Sequence, residues 1–214
     1  KLITKRETIM RIKSLVAAMA AVASLAPIAA QAQAQENPWM VRVRAVDLLW
    51  NNGQTGIAQA ANIKAKDQWI PEFDVSYFFT KNIAAELVLT WPQQVNITAN
   101  GADAGKISAL PPSLLAQYHF TDLGAFKPYV GAGLNFTKIA REQMTAGGSS
   151  VTLSNNSAGA AFQAGVDIPL NKQLSLNFDV KKIQIKSHVY VGGADQGTLK
   201  LDPVLVGVGV GYRF

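Results

Sequence analysis

From Trp39 to Phe214 apolar residues recur at every second position in segment after segment, and after Ala34 no run of 18 apolar residues occurs. A period of two is the repeat of a β-strand whose faces meet different surroundings, and the absent run excludes a membrane-spanning helix from this part of the chain. The last segment is the plainest case. Val204, Val206, Val208, Val210, Tyr212 and Phe214 alternate with Leu205, Gly207, Gly209, Gly211 and Arg213.

Seven earlier segments repeat the pattern, at residues 39–46, 72–79, 83–91, 113–120, 129–137, 160–168 and 173–181. Eight strands, an even number, suit an antiparallel barrel with both ends on one side. The connections alternate in length. Thr80–Asn82, Thr121–Lys127 and Pro169–Lys172 are short, whereas 51–67, 92–107, 138–157 and 187–199 are long and rich in Gly, Asn, Ser and Ala. Short periplasmic turns and long outer loops are the asymmetry of outer-membrane barrels. Trp39, Tyr77, Phe79, Tyr118, Phe120, Tyr129, Tyr212 and Phe214 gather near the short-turn ends, where an interfacial girdle belongs. A soluble sandwich would have to bury these residues. The expected fold is therefore all-β, an eight-stranded antiparallel transmembrane β-barrel in the outer membrane. Its partners are lipid and lipopolysaccharide, with Tyr212 and Phe214 as a terminal signal to the barrel-assembly machinery.

The N-terminal 34 residues read differently. Arg11 and Lys13 precede an apolar, Ala-rich stretch from Leu15 to Ala30, and Ala32-Gln33-Ala34 fits the small-x-small cleavage rule. Residues 1–34 are thus expected to be a removed signal peptide, with 1–9 ahead of Met10 as an upstream extension, and 35–214 the barrel. An anchor helix is the alternative, but the run is short and lacks a charged stop. This segment holds five of the 20 basic residues and one of the 14 acids, so the remainder carries a formal charge of +2 rather than +6. A nucleic-acid partner loses its main support with it. With no cysteine, disulfides and thiolate chemistry are excluded.

If the apolar face meets lipid, the other face lines the lumen. Arg42, Arg44, Asp74, Glu86, His119, Asp167, Asp179, Lys181 and Arg213 then lie inside, all toward the short turns. An eight-stranded lumen is barely wide enough for side chains, so these charges should pair into a polar plug. The other half of the lumen is apolar by the same parity: Leu48 and Trp50, Val88, Ile183 and Ile185, and Leu205, with Ile70, Ile107, Pro111, Ile139 and Leu201. Such a lining suits an apolar ligand better than an aqueous pore. A β-bulge near Lys181-Lys182 would instead turn Ile183 and Ile185 to lipid. Pro71, Pro92, Pro111 and Pro112 remove backbone donors from strands two, three and four. They mark either strand ends or a place where the wall opens sideways.

Three blocks carry a family resemblance: Leu110-Pro111-Pro112-Ser113 through Phe120, Lys127-Pro128-Tyr129-Val130-Gly131-Ala132-Gly133 through Thr137, and Leu201-Asp202-Pro203 through Phe214. In that order they closely resemble the OmpW family, which includes the AlkL-type proteins. The resemblance implies a barrel with a hydrophobic channel that passes small apolar molecules into the membrane through a lateral opening. The alternative is a structural or surface-receptor barrel without transport.

Chemistry-bearing motifs are missing. Gly207-Val208-Gly209-Val210-Gly211 lies in a strand with no following helix, and no P-loop, HExxH or GxSxG occurs. His119 and His188 fall on opposite sides of the proposed membrane, which argues against a metal pair. Ser187-His188 is the one adjacent nucleophile–base pair, but neighbours on a strand point to opposite faces. No cofactor and no enzymatic activity are expected.

Overall fold

The computed structural model describes residues 37–140, 144–146, 149–191 and 193–214. The signal-peptide expectation falls on residues 1–34, outside the described residues. Eight strands form the barrel wall: β1 (Trp39–Leu49), β4 (Gln68–Phe78), β5 (Ile83–Thr90), β8 (Ser113–His119), β9 (Lys127–Ala140), β12 (Asn156–Pro169), β13 (Leu174–Ile183) and β16 (Val204–Arg213). Each pairs antiparallel with the next in that order. β16 returns to β1, from Met40↔Arg213 to Leu49↔Val204, so the ring is closed. Closure satisfies the backbone groups that an open edge would leave unpaired in lipid.

The alternation sets which way each strand faces. Val43, Leu89, Leu114, Leu134, Phe136, Phe162, Phe178, Val180, Val206, Val208 and Val210 are exposed on the outside. A belt of this size in water would be a severe aggregation liability; against acyl chains it costs nothing. At the short-turn rim Trp39–Tyr77, Tyr77–Phe79, Tyr118–Phe120 and Tyr212–Phe214 stack edge to face at 4.9–5.1 Å. Tyr129 departs from the expected girdle. It is 1 % exposed and points into the lumen, because it has the opposite parity to its outward neighbour Val130.

The segments expected as long outer loops are largely further β-structure. They hold β2 (Gly53–Gln54), α1 (Ile57–Ala60), β3 (Lys64–Ala65), β6 (Gln93–Ala99), β7 (Ala102–Leu110), β10 (Met144–Ala146), β11 (Ser149–Leu153), β14 (Lys186–Val191) and β15 (Ala194–Lys200). β3, β6 and β7 extend the barrel sheet, and β10, β11, β14, β15 and β2 form a second one. At ~3.3 Å per residue the 14-residue β9 and β12 reach ~46 Å, well past the ~25 Å apolar band of such barrels. Val95, Ile97, Ile107, Leu153, Val189 and Leu199 carry the apolar core of the lumen on into this extension.

The glycines of β16 make room for the arginines of β1. A Cβ at Gly209 would sit 2.7 Å from Arg44 Cα and 2.9 Å from its Cγ; one at Gly211 would sit 3.2 Å from Arg42 Cγ. Gly165 on β12 likewise receives the ring of Tyr129. Gly165→Val should therefore overpack the lumen and destabilise the barrel by ~1–3 kcal/mol. Urea unfolding in lipid vesicles checks this, and an unchanged midpoint would show that the ring has somewhere else to go.

Candidate functional site

The lumen is divided into a charged half beside the short turns and an apolar half above it. β1 supplies Arg42 and Arg44, β4 Glu72 and Asp74, β5 Glu86, β12 Asp167, and β13 Asp179 and Lys181. Each of these eight is at most 5 % exposed. The Arg42 guanidinium donates through Nε and Nη2 to Asp167, the latter at 2.7 Å, and lies 3.1 Å from Glu86 Oε2 and 3.4 Å from Asp74 Oδ1. Arg44 lies 2.8 Å from Glu72 and 2.6 Å from Asp74. Lys181 Nζ joins Glu72, at 2.7 Å, to Asp179. Buried charges survive only when paired and hydrogen-bonded, and these three cations are shared among five carboxylates.

Neutral groups complete the network. Tyr129 Oη donates to Asp179 at 2.7 Å and accepts from Asn177, while the Arg42 guanidinium lies 5.3 Å from the centre of its ring. Gln163 Nε2 donates to both Glu86 and Asp179 at 2.8 Å, and Asn177 Nδ2 to Asp167. His119 is buried, bonds Gln117 at 3.0 Å and stacks on Tyr129 at 4.9 Å. Arg213, expected inside with the other charges, is only half-buried. It lies at the rim, 4.3 Å over the Phe78 ring, with Nε donating to Asn37 O. Glu72, Gln163 and Asn177 share the lumen parity, but alternation alone does not mark them as members of the network, and Tyr129 joins it against the expectation of a girdle position.

Above the charges, Leu48, Val88, Ile183, Ile185 and Leu205 are buried together with Ile70, Ile107, Ile139 and Leu201. β13 pairs with β16 without a shift through Lys181↔Leu205 and Lys182↔Val204. The bulge that would turn Ile183 and Ile185 outward is absent there, and the two are 2 % and 1 % exposed. Trp50 is half-buried against this cluster. Among the described residues a cavity of about 10 Å³ is bordered by Leu48, Trp50, Gln93, Pro111, Ile183 and Leu205 among others; that is about the volume needed to hold one water.

The wall beside this cavity has a gap in its hydrogen bonding. The β5–β8 ladder stops at Val88↔Ser113 and the β6–β7 ladder starts at Gln93↔Ala109. Between them Leu89–Pro92, four residues, face Leu110–Pro112, three, so the ladders cannot join in register. On the other flank the β4–β5 ladder ends at Glu72↔Thr90, next to Pro71, and the next tie is Lys66 N to Asn96 O at 3.0 Å. The β9 side is intact, because Pro112 O accepts from Phe136 N at 2.9 Å. Trp69 and Trp91 stand exposed near the gap.

At the long-loop end Ser187 is buried with Oγ toward Ser154, whereas His188 is exposed with Nδ1 2.8 Å from Asp195. The two do not face one another. The Gly197 N–H, then His188, hold the exposed Asp195 carboxyl below its usual range. Among the described residues no group of three or more His, Cys, Asp or Glu is placed to hold a metal ion.

Comparisons with known proteins agree with this architecture. An uncharacterized outer-membrane protein, y4mB of Sinorhizobium fredii, is 42 % identical over 197 residues, covering 89 % of this chain and 86 % of the relative. The dibenzothiophene metabolism operon protein PahQ of Pseudomonas aeruginosa is 26 % identical over 201 residues, covering 87 % and 93 %. The solution structure of Escherichia coli outer membrane protein W superposes with a TM-score of 0.60 at 28 % identity, covering 85 % of this chain and all of that one. Residues 35–214 match the OmpW family throughout. With its closed eight-stranded wall and apolar outer belt, the chain belongs to the OmpW family of outer-membrane barrels.

Proposed function

We propose that this barrel passes small apolar molecules from outside the cell into the upper lumen and releases them sideways into the membrane, while the charged lower lumen acts as a plug toward the periplasm. The observation that carries this reading is the coincidence of an apolar lining with a gap in the wall at the same level. Leu48, Trp50, Ile183 and Leu205 border a cavity that reaches Gln93 and Pro111, two residues at the break between the ladders. An apolar solute there exchanges one apolar surrounding for another, so neither the lining nor the membrane opposes its exit. The relative PahQ is named for an operon that handles dibenzothiophene, itself a small apolar aromatic compound, which fits this solute class. Tyr212 and Phe214, outward at the terminal rim, are the residues offered to the assembly machinery.

The small volume of this cavity favours a second reading, a structural or surface-receptor barrel. A cavity of about 10 Å³ admits no solute until side chains move. Uptake of a small alkane or terpene by cells with and without the protein separates the two, with a small sugar as control. Transport predicts faster uptake of the apolar compound alone, and return to the protein-free rate in Ile183→Glu, which places a charge in the apolar half. Equal uptake with and without the protein would leave the structural reading.

A further inference from the structure

We infer that Trp50 makes the upper lumen selective, among small apolar molecules, for those that carry one hydrogen-bond acceptor such as a ketone or ether oxygen. The inference deepens the passage proposed above by naming the solute class at the same cavity.

The indole Nε1 of Trp50 is buried and has no hydrogen-bond partner among the described residues. Tryptophan usually places its N–H on an acceptor when buried, and leaving it without one is costly. The indole ring borders the cavity, whose surface is wholly apolar: Leu48, Ile70, Val95, Ala109 and Ile183 contribute only carbon, and a solute reaches Nε1 through the same side-chain movement that admits it. Gln93 also lines it, with its amide Nε2 donating to Trp91 O at 2.7 Å. A buried water is a poor answer to this donor, because it needs two to four polar partners and this lining supplies too few. A solute with one acceptor and an otherwise apolar body meets both demands at once. It takes the N–H and leaves nothing polar to satisfy. Thr90, whose buried Oγ1 also lacks a partner among the described residues, stands at the gap in the wall and places a second polar atom at the exit. Discrimination of this kind is what a single buried donor provides, since the analogue without the acceptor leaves it unpaired.

The test uses the full barrel in phospholipid nanodiscs, labelled with ¹⁵N, and compares 2-heptanone with heptane. The four tryptophans give four indole N–H signals, and Trp50→Phe identifies the one of interest. Trp39, Trp69 and Trp91 are exposed on the outer surface and report solute dissolved in lipid. The expected result is a downfield shift of the Trp50 indole proton with the ketone and none with heptane. Trp50→Phe, which keeps an aromatic ring and drops the donor, should weaken ketone binding about fivefold and leave heptane binding unchanged. Equal shifts with the two solutes, or no shift of Trp50 with either, would overturn the inference. So would ketone affinity unchanged in Trp50→Phe. Vesicle uptake of the same pair separates this claim from the one beneath it. A ketone that shifts Trp50 but does not cross upholds the site and removes the passage. Two solutes that cross equally, with rates indifferent to Trp50→Phe, uphold the passage and remove the selectivity.

Discussion

Arg42→Met is expected to destabilise the barrel by about 3–5 kcal/mol, read as a lowered urea midpoint in phospholipid vesicles. The guanidinium is fully buried and is, among the described residues, the one cation that touches Asp167, Glu86 and Asp74 together. Methionine fills similar space and leaves these carboxylates short of their shared cation, so the loss is electrostatic rather than a matter of packing. The partner variant makes the cause visible. Asp167→Asn in the Arg42→Met background removes one of the stranded charges and should recover part of the loss, whereas Asp167→Asn alone should cost stability. A midpoint for Arg42→Met within about 1 kcal/mol of the parent would mean that water or lipid headgroups reach the lower lumen, and the plug would be lost as an idea.

That network was legible in part. Alternation along β1 puts Arg42 and Arg44 on the face opposite Val41, Val43 and Ala45, and the same rule turns Asp74, Glu86, Asp167, Asp179 and Lys181 inward. What alternation cannot give is who meets whom. Arg42 and Asp167 are 125 residues apart and sit on β1 and β12, which are not neighbours in the sheet. They meet across the lumen because the sheet closes on itself. Tyr129 was misplaced by a different route. Its place among the rim aromatics points to the girdle, whereas alternation with Val130 turns it inward. Arg213 has the right parity but lies at the last position of β16, where the rim rather than the interior receives it.

The outer segments were harder to read. Gly, Asn and Ser between apolar pairs look like loop, yet Val95 and Ile97 on β6 and Ile107 and Ala109 on β7 alternate well enough to form a hairpin that extends the wall. The signal was interrupted just where the prolines fall. Parity also shifts there. Val88 and Thr90 face the lumen, and then Val95 and Ile97 do, which no unbroken strand allows. The sequence therefore contained the gap in the wall as a change of phase at Trp91-Pro92, but a reader who ends the strand at Trp91 cannot see it.

The same geometry predicts which proline matters for lateral release. The N–H and C=O of a strand residue point to the same neighbour. Pro112 O accepts from Phe136 on β9, so the donor missing at Pro112 belongs to β9 and not to the gap. Pro111, one residue back, has its missing donor on the side of β5 and β6. Pro92 lies where the ladders on both of its flanks are interrupted. Restoring these two donors in Pro92→Val/Pro111→Val allows two more bonds across or beside the opening. At a net ~1 kcal/mol each they raise the cost of parting the wall by ~2 kcal/mol, and uptake of a small alkane should fall about 30-fold while the urea midpoint holds or rises. Pro112→Val returns a donor to an already closed seam and should leave uptake close to the parent rate. If the double variant takes up alkane as fast as the parent, solutes do not leave between β5–β6 and β7–β8. A loss in Pro112→Val equal to that in the double variant would point instead to a general tightening of strand four.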